Sequence, residues 1–147
     1  HYQLIVYLLE VKQIKLSIQS KKTEVIEFLE KLRAILHSVD FDINTDLTFI
    51  RKKKKKGEEQ YSTPYTLLDL NYDTTDVVDR LKELTLEEYA ETLVDKDDLN
   101  PPLLFVFGKD INKKQVYVKL KVKGEYSKHI LCVSFHYAKE KMLFPYA

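Results

Sequence analysis

Two stretches near the C-terminus carry the side chains best suited to chemistry. Residues 115–123 and 130–137 each alternate polar with apolar side chains. In a β-strand successive side chains point to opposite faces, so each stretch predicts a strand with one polar and one apolar face. The polar face of the first strand is formed by Gln115, Tyr117, Lys119, Lys121 and Lys123. In the second strand, the less apolar face carries Ile130, Cys132, Ser134 and His136.

The two polar faces should lie side by side in one antiparallel pair. A turn centred near residues 125 and 126 predicts that the numbers of facing residues sum to about 251, within two. This register places Gln115 near His136, Tyr117 near Ser134, and Lys119 near Cys132. A tyrosine, a histidine and several lysines would then share one patch.

That patch matches the needs of RNA phosphodiester cleavage. The reaction requires a base for the 2′-hydroxyl proton, an acid for the leaving oxygen, and positive charge beside the phosphorane. His136 can exchange protons near neutral pH, Lys119 supplies charge, and Tyr117 can stack on a base or assist proton transfer. We predict that these three residues are catalytic, although an ordinary solvated sheet face would show the same pattern. The predicted RNA-binding residues are Lys109, Gln115, Lys121 and Ser134.

The elements that must position these strands indicate an α+β fold. Apolar residues recur at helical spacing over 21–38, with Ser20 as the expected N-cap. A short helix is predicted from Asp73 to Leu84, and the capping box that begins at Thr85 predicts another helix through Leu93. Residues 2–18 mix helical and alternating patterns, so periodicity leaves them open.

The remaining segments are predicted to be strands. Residues 47–51 and 65–70 are expected to form a hairpin across a long polar connection. Residues 103–107, 115–123 and 130–137 are expected to form an antiparallel meander. Its predicted buried residues are Val116, Val118, Leu120, Val133 and Phe135.

Length and composition fit a single domain over residues 1–147. A chain of 147 residues that is 44% hydrophobic can bury a core. One cysteine and four scattered histidines cannot form a disulfide or a zinc cluster, so we expect a cytoplasmic protein with no cofactor and no metal. The apolar run 4–9 is too short to span a bilayer, so no membrane partner is expected.

Charge is distributed unevenly along the chain. The net charge is only +1, but acidic residues dominate 69–98 and lysines dominate 108–141. Five consecutive lysines, 52–56, are a further candidate for contact with an RNA backbone. A solvated loop tip would show the same run.

The two C-terminal strands resemble those of MqsR-type toxins. Residues 115–120, Gln-Val-Tyr-Val-Lys-Leu, and 131–135, Leu-Cys-Val-Ser-Phe, are similar to the paired C-terminal strands of that family. The likeness covers roughly 63–137. It implies a RelE-like fold, an antiparallel sheet whose C-terminal three-stranded meander packs against helices. Residues 61–147 would be the toxin-like core and residues 1–60 an N-terminal helical extension with a hairpin strand.

The resemblance also implies a function. It predicts the toxin of a type II toxin-antitoxin system, an endoribonuclease that cleaves mRNA by metal-independent 2′-hydroxyl attack and is neutralised by a cognate antitoxin protein. The family's catalytic tyrosine falls on Tyr117 and its strand lysine on Lys119. Three positions depart from the family: Ala90, Leu104 and His136 stand where it has lysine, glutamine and lysine.

Two other hypotheses fit the same residues. The basic sheet could belong to a non-catalytic module that binds RNA or an acidic protein. In the other hypothesis, the N-terminal helix inhibits the C-terminal half of the chain. A shared concave surface for Tyr117, Lys119 and His136 would favour the enzyme.

Overall fold

The computed structural model describes residues 16–100, 102–124 and 128–147. Within these ranges the protein is α+β, with three α-helices and a six-stranded sheet. Most of the undecided segment 2–18, and the apolar run 4–9, lie outside the described residues. The helices are α1 (Lys22–Leu36), α2 (Thr63–Leu70) and α3 (Thr74–Lys82); the strands are β1 (Ser17–Ile18), β2 (Leu47–Phe49), β3 (Tyr89–Val94), β4 (Leu103–Ile111), β5 (Lys114–Lys123) and β6 (His129–Tyr137).

The sheet is mixed, not antiparallel as predicted. Its strand order is β1-β3-β4-β5-β6-β2, and every pair is antiparallel except β2 with β6. The three strands predicted after the Pro101-Pro102 pair are present, and they are consecutive neighbours in the sheet. The predicted hairpin between 47–51 and 65–70 is wrong. Its first strand is the parallel edge strand β2, and its second is the helix α2.

Local capping and a tertiary contact explain why residues 65–70 are helical. The Ser62 side chain accepts a hydrogen bond from the Tyr65 backbone N–H, and a proline lies in the first turn of α2. The threonines of this helix complete the edge of β6 where β2 has ended. The Phe135 N–H donates to Thr63 Oγ1 (3.2 Å), and the Tyr137 N–H donates to Thr66 Oγ1 (2.9 Å).

The helix predicted over 85–93 is also wrong. The capping box at Thr85 and Glu88 is present, but it starts a single 3₁₀ turn, Leu86–Glu88, and β3 follows. The Tyr89 hydroxyl accepts the Ser20 N–H (2.8 Å) and is 2.7 Å from Thr92 Oγ1 in a buried network. These partners hold the segment as an extended strand.

Helices α1 and α3 confirm the predicted helical segments. Helix α1 begins after Lys21 rather than at Ser20, whose hydroxyl is 2.7 Å from Thr92 Oγ1 in the buried network. Helix α3 starts at the reciprocal capping pair of Asp73 and Asp76. In the described ranges, no helix is both long and apolar enough to cross a membrane.

One face of the sheet packs against α1 and forms the core. The Phe28 ring stacks on Phe105 with centroids 4.2 Å apart, and the apolar face of β5 is fully buried. Buried residues of α1 belong to the same apolar cluster as those of β4 to β6. Helix α1 is therefore part of this core, not an extension attached to it. The face that carries Tyr117 and Lys119 is on the other side of the sheet, so α1 does not cover it.

A β-bulge in β6 changes which side chains reach the core. Lys119 pairs with Ser134, but the next residue, Leu120, pairs with Cys132, so Val133 is the extra residue. Val116, Val118, Leu120 and Phe135 are buried as predicted. Val133 is only half-buried, and that prediction is wrong because the bulge reverses the alternation. On the N-terminal side of the bulge, Ile130 and Cys132 enter the core.

Candidate active site

An open cleft of about 560 Å³ lies on the sheet face opposite the core. Strands β5 and β6 supply its floor, with Tyr117, Lys119, Ser134 and His136. All three predicted catalytic residues therefore share one concave surface. The remaining lining residues are Ser17, Lys54, Ala90, Glu91, Ala138, Lys139, Glu140, Lys141, Met142 and Leu143.

Direct pairing of β5 with β6 sets the geometry of the cleft floor. Tyr117 faces His136 and Lys119 faces Ser134, a register two residues from the predicted sum. The Tyr117 and His136 rings stack with centroids 5.1 Å apart and planes at 13°. Cross-strand neighbours on one face are close enough for such contacts. The stack holds the imidazole in a defined orientation.

His136 is arranged to act as a base. Its Nδ1 lies 2.9 Å from the Tyr137 carbonyl oxygen. A carbonyl only accepts hydrogen bonds, so Nδ1 carries the proton and Nε2 of the neutral ring carries the lone pair. Burial lowers the pKa of His136 below 6.5, and the positive charges of Lys54 and Lys119 lower it further, against the opposing effect of the Tyr137 carbonyl. The ring is therefore neutral at pH 7.

Tyr117 keeps its proton at neutral pH. Burial raises the pKa of Tyr117 to about 12, and the negative charge of Glu91 adds to the effect. The phenol can therefore donate a hydrogen bond or a proton. The floor thus combines a neutral imidazole with a protonated phenol.

Glu91 is a cleft residue that sequence reasoning missed. It lies in β3 opposite Val106, which in turn lies opposite Lys119, so Glu91 and Lys119 occupy the same row across the sheet. Because residues 85–93 were predicted to be helical, Glu91 was not expected to lie in the same row of the sheet as Lys119. The available signal was the aromatic and β-branched content of residues 89–94, which is typical of a strand.

The cleft carries an excess of positive charge. Four lysines and two glutamates are among its lining residues. Lys54 belongs to the exposed run 52–56, so that run does reach the cleft. Lys139 forms an ion pair with Glu58, which ties the C-terminal segment to the loop after β2. A phosphodiester backbone carries the charge that such a surface attracts.

Lys121 is not available to bind RNA as predicted. Its side chain is only 1% exposed, and its ammonium lies 2.7 Å from Asp95 Oδ2 and 3.4 Å from Asp98 Oδ2. It also donates to the Asp98 carbonyl at 3.1 Å. Alternation did place Lys121 on the polar face, but the segment after β3 covers it.

Lys109 and Gln115 also lie outside the cleft. Lys109 faces Val116, so it points to the core side of the sheet, where its ammonium lies 3.1 Å from Glu88 Oε2. The Gln115 side chain instead accepts the Met142 N–H at 3.3 Å. Of the four predicted RNA-binding residues, only Ser134 lines the cleft.

The C-terminal segment forms one wall of the cleft. Gly108 faces Tyr117, and a Cβ on Gly108 would lie only 2.7 Å from Phe144 Cζ, so glycine permits the close approach. The Tyr146 hydroxyl donates to the Ser20 carbonyl at 2.6 Å. Its ring stacks on Tyr89 with centroids 5.8 Å apart. These contacts fix the wall.

The positions at which the sequence differs from the MqsR-type pattern lie in or beside the cleft. Ala90 lines it and provides no functional group, whereas Leu104 is buried in the neighbouring pocket beside Lys119.

Among the described residues, no group of three or more His, Cys, Asp or Glu side chains could hold a metal ion.

Comparison with known proteins does not assign a function to this cleft. No family model, no curated protein and no solved structure matches the chain. A function has to be inferred from the side chains that meet in the cleft.

Proposed function

We propose that this protein is an endoribonuclease that cleaves single-stranded RNA by metal-independent attack of the 2′-hydroxyl. The observation that carries the proposal is the convergence of Tyr117, Lys119 and His136 in one open, lysine-rich cleft. Each residue supplies one requirement of the reaction. The resemblance of β5 and β6 to MqsR-type strands supports the same chemistry.

His136 acts as the general base. Its Nε2 takes the proton of the 2′-hydroxyl, and the 2′-oxygen attacks the adjacent phosphorus. The bond from phosphorus to the 5′-oxygen breaks, which leaves a 2′,3′-cyclic phosphate and a 5′-hydroxyl. The lowered pKa of His136 keeps the base in its working form at neutral pH.

Lys119 and Tyr117 complete the reaction. Lys119 is two residues along β5 from Tyr117 and lines the same cleft. Its ammonium stabilises the negative charge of the phosphorane. Tyr117 donates its proton to the leaving 5′-oxygen. Glu91 favours the protonated phenol by opposing the tyrosinate charge. Lys54 and Lys141 then hold flanking phosphates.

A labelled single-stranded RNA incubated with the purified protein and a chelator tests the proposal. The wild-type protein should cleave it. Tyr117→Phe should lower the rate about a hundredfold, because the ring remains for stacking while the proton donor is lost. RNA affinity should be unchanged. Tyr65→Phe is the matched control, since that tyrosine is 42% exposed and lies outside the cleft.

Binding without cleavage is the main competing outcome. If the wild-type protein binds the RNA and leaves it intact in the presence and absence of divalent cations, the enzyme proposal fails. The non-catalytic RNA-binding module would then be the better description.

We further propose a biological role as the toxin of a type II toxin-antitoxin system, with a RelE-like fold, mRNA as the cytoplasmic substrate and an antitoxin as the partner. Expression in a bacterial host should arrest growth and fragment transcripts. Expression of Tyr117→Phe to the same level should not. Normal growth with abundant wild-type protein would contradict the role.

A further inference from the structure

A second pocket, of about 200 Å³, adjoins the cleft and shares Lys119 with it. We call it the apolar slot. Its apolar residues come from β3, β4, β6 and the residue after β2, and its rim comes from the segment after β3. The apolar residues are Ile50, Leu93, Val94, Leu104, Leu131 and Val133, and the rim residues are Asp95, Lys96, Asp97 and Asp98.

The β6 bulge builds the wall of the slot. Without the extra residue, Leu131 and Val133 would point into the core, as the alternation predicted. The bulge turns both toward the Lys119 face, where they remain half-buried. Bulges often redirect side chains beside functional sites. Two half-buried aliphatic side chains are thereby placed next to a proposed catalytic lysine.

The apolar slot lies farther along β5 than the proposed catalytic pair, Tyr117 and His136. The Tyr117–His136 pair and the Lys119–Ser134 pair are two residues apart along β5, which is about 7 Å. The slot continues on the far side of Lys119. In a nucleotide only the sugar separates the phosphate from the base. A phosphate held at Lys119 would therefore bring a neighbouring base to the mouth of the slot.

The rim has one carboxylate that is suited to contact a ligand. Asp95 and Asp98 are engaged by the ammonium groups of Lys121 and Lys123. Asp97 is exposed, and its carboxylate takes part in none of the ion pairs or hydrogen bonds found among the described residues. An ionised carboxylate only accepts hydrogen bonds. It therefore favours a ligand edge that presents N–H donors.

We infer that the apolar slot is a nucleobase subsite, in which aliphatic side chains contact the faces of a base and Asp97 accepts from its exocyclic amino group. Adenine, cytosine and guanine carry that amino group. Uracil presents a carbonyl oxygen at the equivalent position, which a carboxylate repels. The inference rests on the proposed function only in taking RNA as the ligand.

Equilibrium binding of fluorescent homopolymers of adenylate, cytidylate and uridylate tests the inference without requiring cleavage. The three have equal phosphate charge, so lysine contacts contribute equally to each. The wild-type protein should bind the amino-bearing polymers about tenfold more tightly than polyuridylate, the scale of one base contact. Asp97→Asn should remove most of this preference, because an amide both donates and accepts.

Two further variants complete the design. Val133→Phe places a ring in the slot and should weaken binding of the amino-bearing polymers while leaving polyuridylate affinity nearly unchanged. Asp40→Asn is the matched control, since it makes the same charge change at an exposed loop position outside both pockets.

The outcomes separate this inference from the ribonuclease proposal. Equal affinity for all three polymers, or a preference that Asp97→Asn leaves intact, overturns the nucleobase subsite whether or not RNA is cleaved. A base preference that depends on Asp97 supports the subsite even if the protein proves non-catalytic.

Discussion

Replacing His136 with alanine should lower the rate of RNA cleavage about a hundredfold or more, the usual effect of removing a general base. The imidazole is the group in the cleft whose Nε2 can take the 2′-hydroxyl proton at neutral pH. RNA affinity should hardly change, because the lysines that line the cleft remain. Single-turnover cleavage and equilibrium binding, measured on the same RNA, separate the two effects.

The cleavage rate of the wild-type protein should also change with pH in a defined direction. A general base works only when deprotonated, and burial lowers the pKa of His136 below 6.5. The rate should therefore rise with pH below 6.5 and be level at neutral pH. Because the pKa of Tyr117 is about 12, its loss of a proton should not reduce the rate near pH 8.

His129→Ala provides a matched control. That histidine is also in β6, but its Nε2 lies 2.7 Å from Thr48 Oγ1 and it does not line the cleft. Its replacement should leave the rate and pH profile unchanged. If His136→Ala cleaves at the wild-type rate, the base assignment is wrong.

Replacing Lys121 with alanine should lower the free energy of unfolding by about 3 kcal/mol or more. Removing one partner of a buried ion pair leaves the other charge without compensation, at a typical cost of about 3–5 kcal/mol. The Lys121 side chain is 1% exposed and that of Asp95 is 8% exposed. The Asp97 and Asp98 N–H groups still donate to Asp95 Oδ1, so the lower end of this range applies.

Lys123→Ala is the comparison for this prediction. Lys123 is two residues along β5 and pairs with Asp98 at 2.9 Å, but its side chain is 39% exposed. Exposed pairs contribute less than about 1 kcal/mol. Urea denaturation of both variants measures the difference. A loss for Lys121→Ala that is no larger than for Lys123→Ala would contradict the role of the buried pair.

Alternation in β5 predicted the floor of the site because it left only one consistent apolar face. Val116, Val118 and Leu120 are all buried, and Tyr117 and Lys119 face the cleft. The same reasoning failed in β6 at Val133. Both faces of 130–133 are apolar, so side-chain alternation could not reveal the bulge.

Local sequence signals also could not determine whether two segments, those of β3 and α2, would be helical or extended. The capping box at Thr85 starts a 3₁₀ turn instead of an α-helix. The strand β3 that follows is held by a hydrogen bond from Ser20, which is far away in sequence. The helix α2 looked like a strand. Its threonines bond to the edge of β6, a contact that only the folded chain makes.

Some features of the site residues could likewise be predicted from the sequence, and others could not. Strand periodicity placed Lys119 and Lys121 on one face, but Asp95 and Asp98 from the segment after β3 form ion pairs with Lys121, whose side chain is buried. Glu91 was missed because its strand was predicted to be helical. The face on which each β5 side chain lies could be predicted, whereas its partner from a distant segment could not.

The chemical ends of the RNA products test the central claim most directly. Wild-type protein, incubated at neutral pH with a labelled single-stranded RNA and a chelator, should produce fragments that end in 2′,3′-cyclic phosphate and begin with a 5′-hydroxyl. These are the products of attack by the 2′-oxygen after His136 has taken its proton. Intact RNA, or fragments with a 5′-phosphate and a 3′-hydroxyl, would contradict the account.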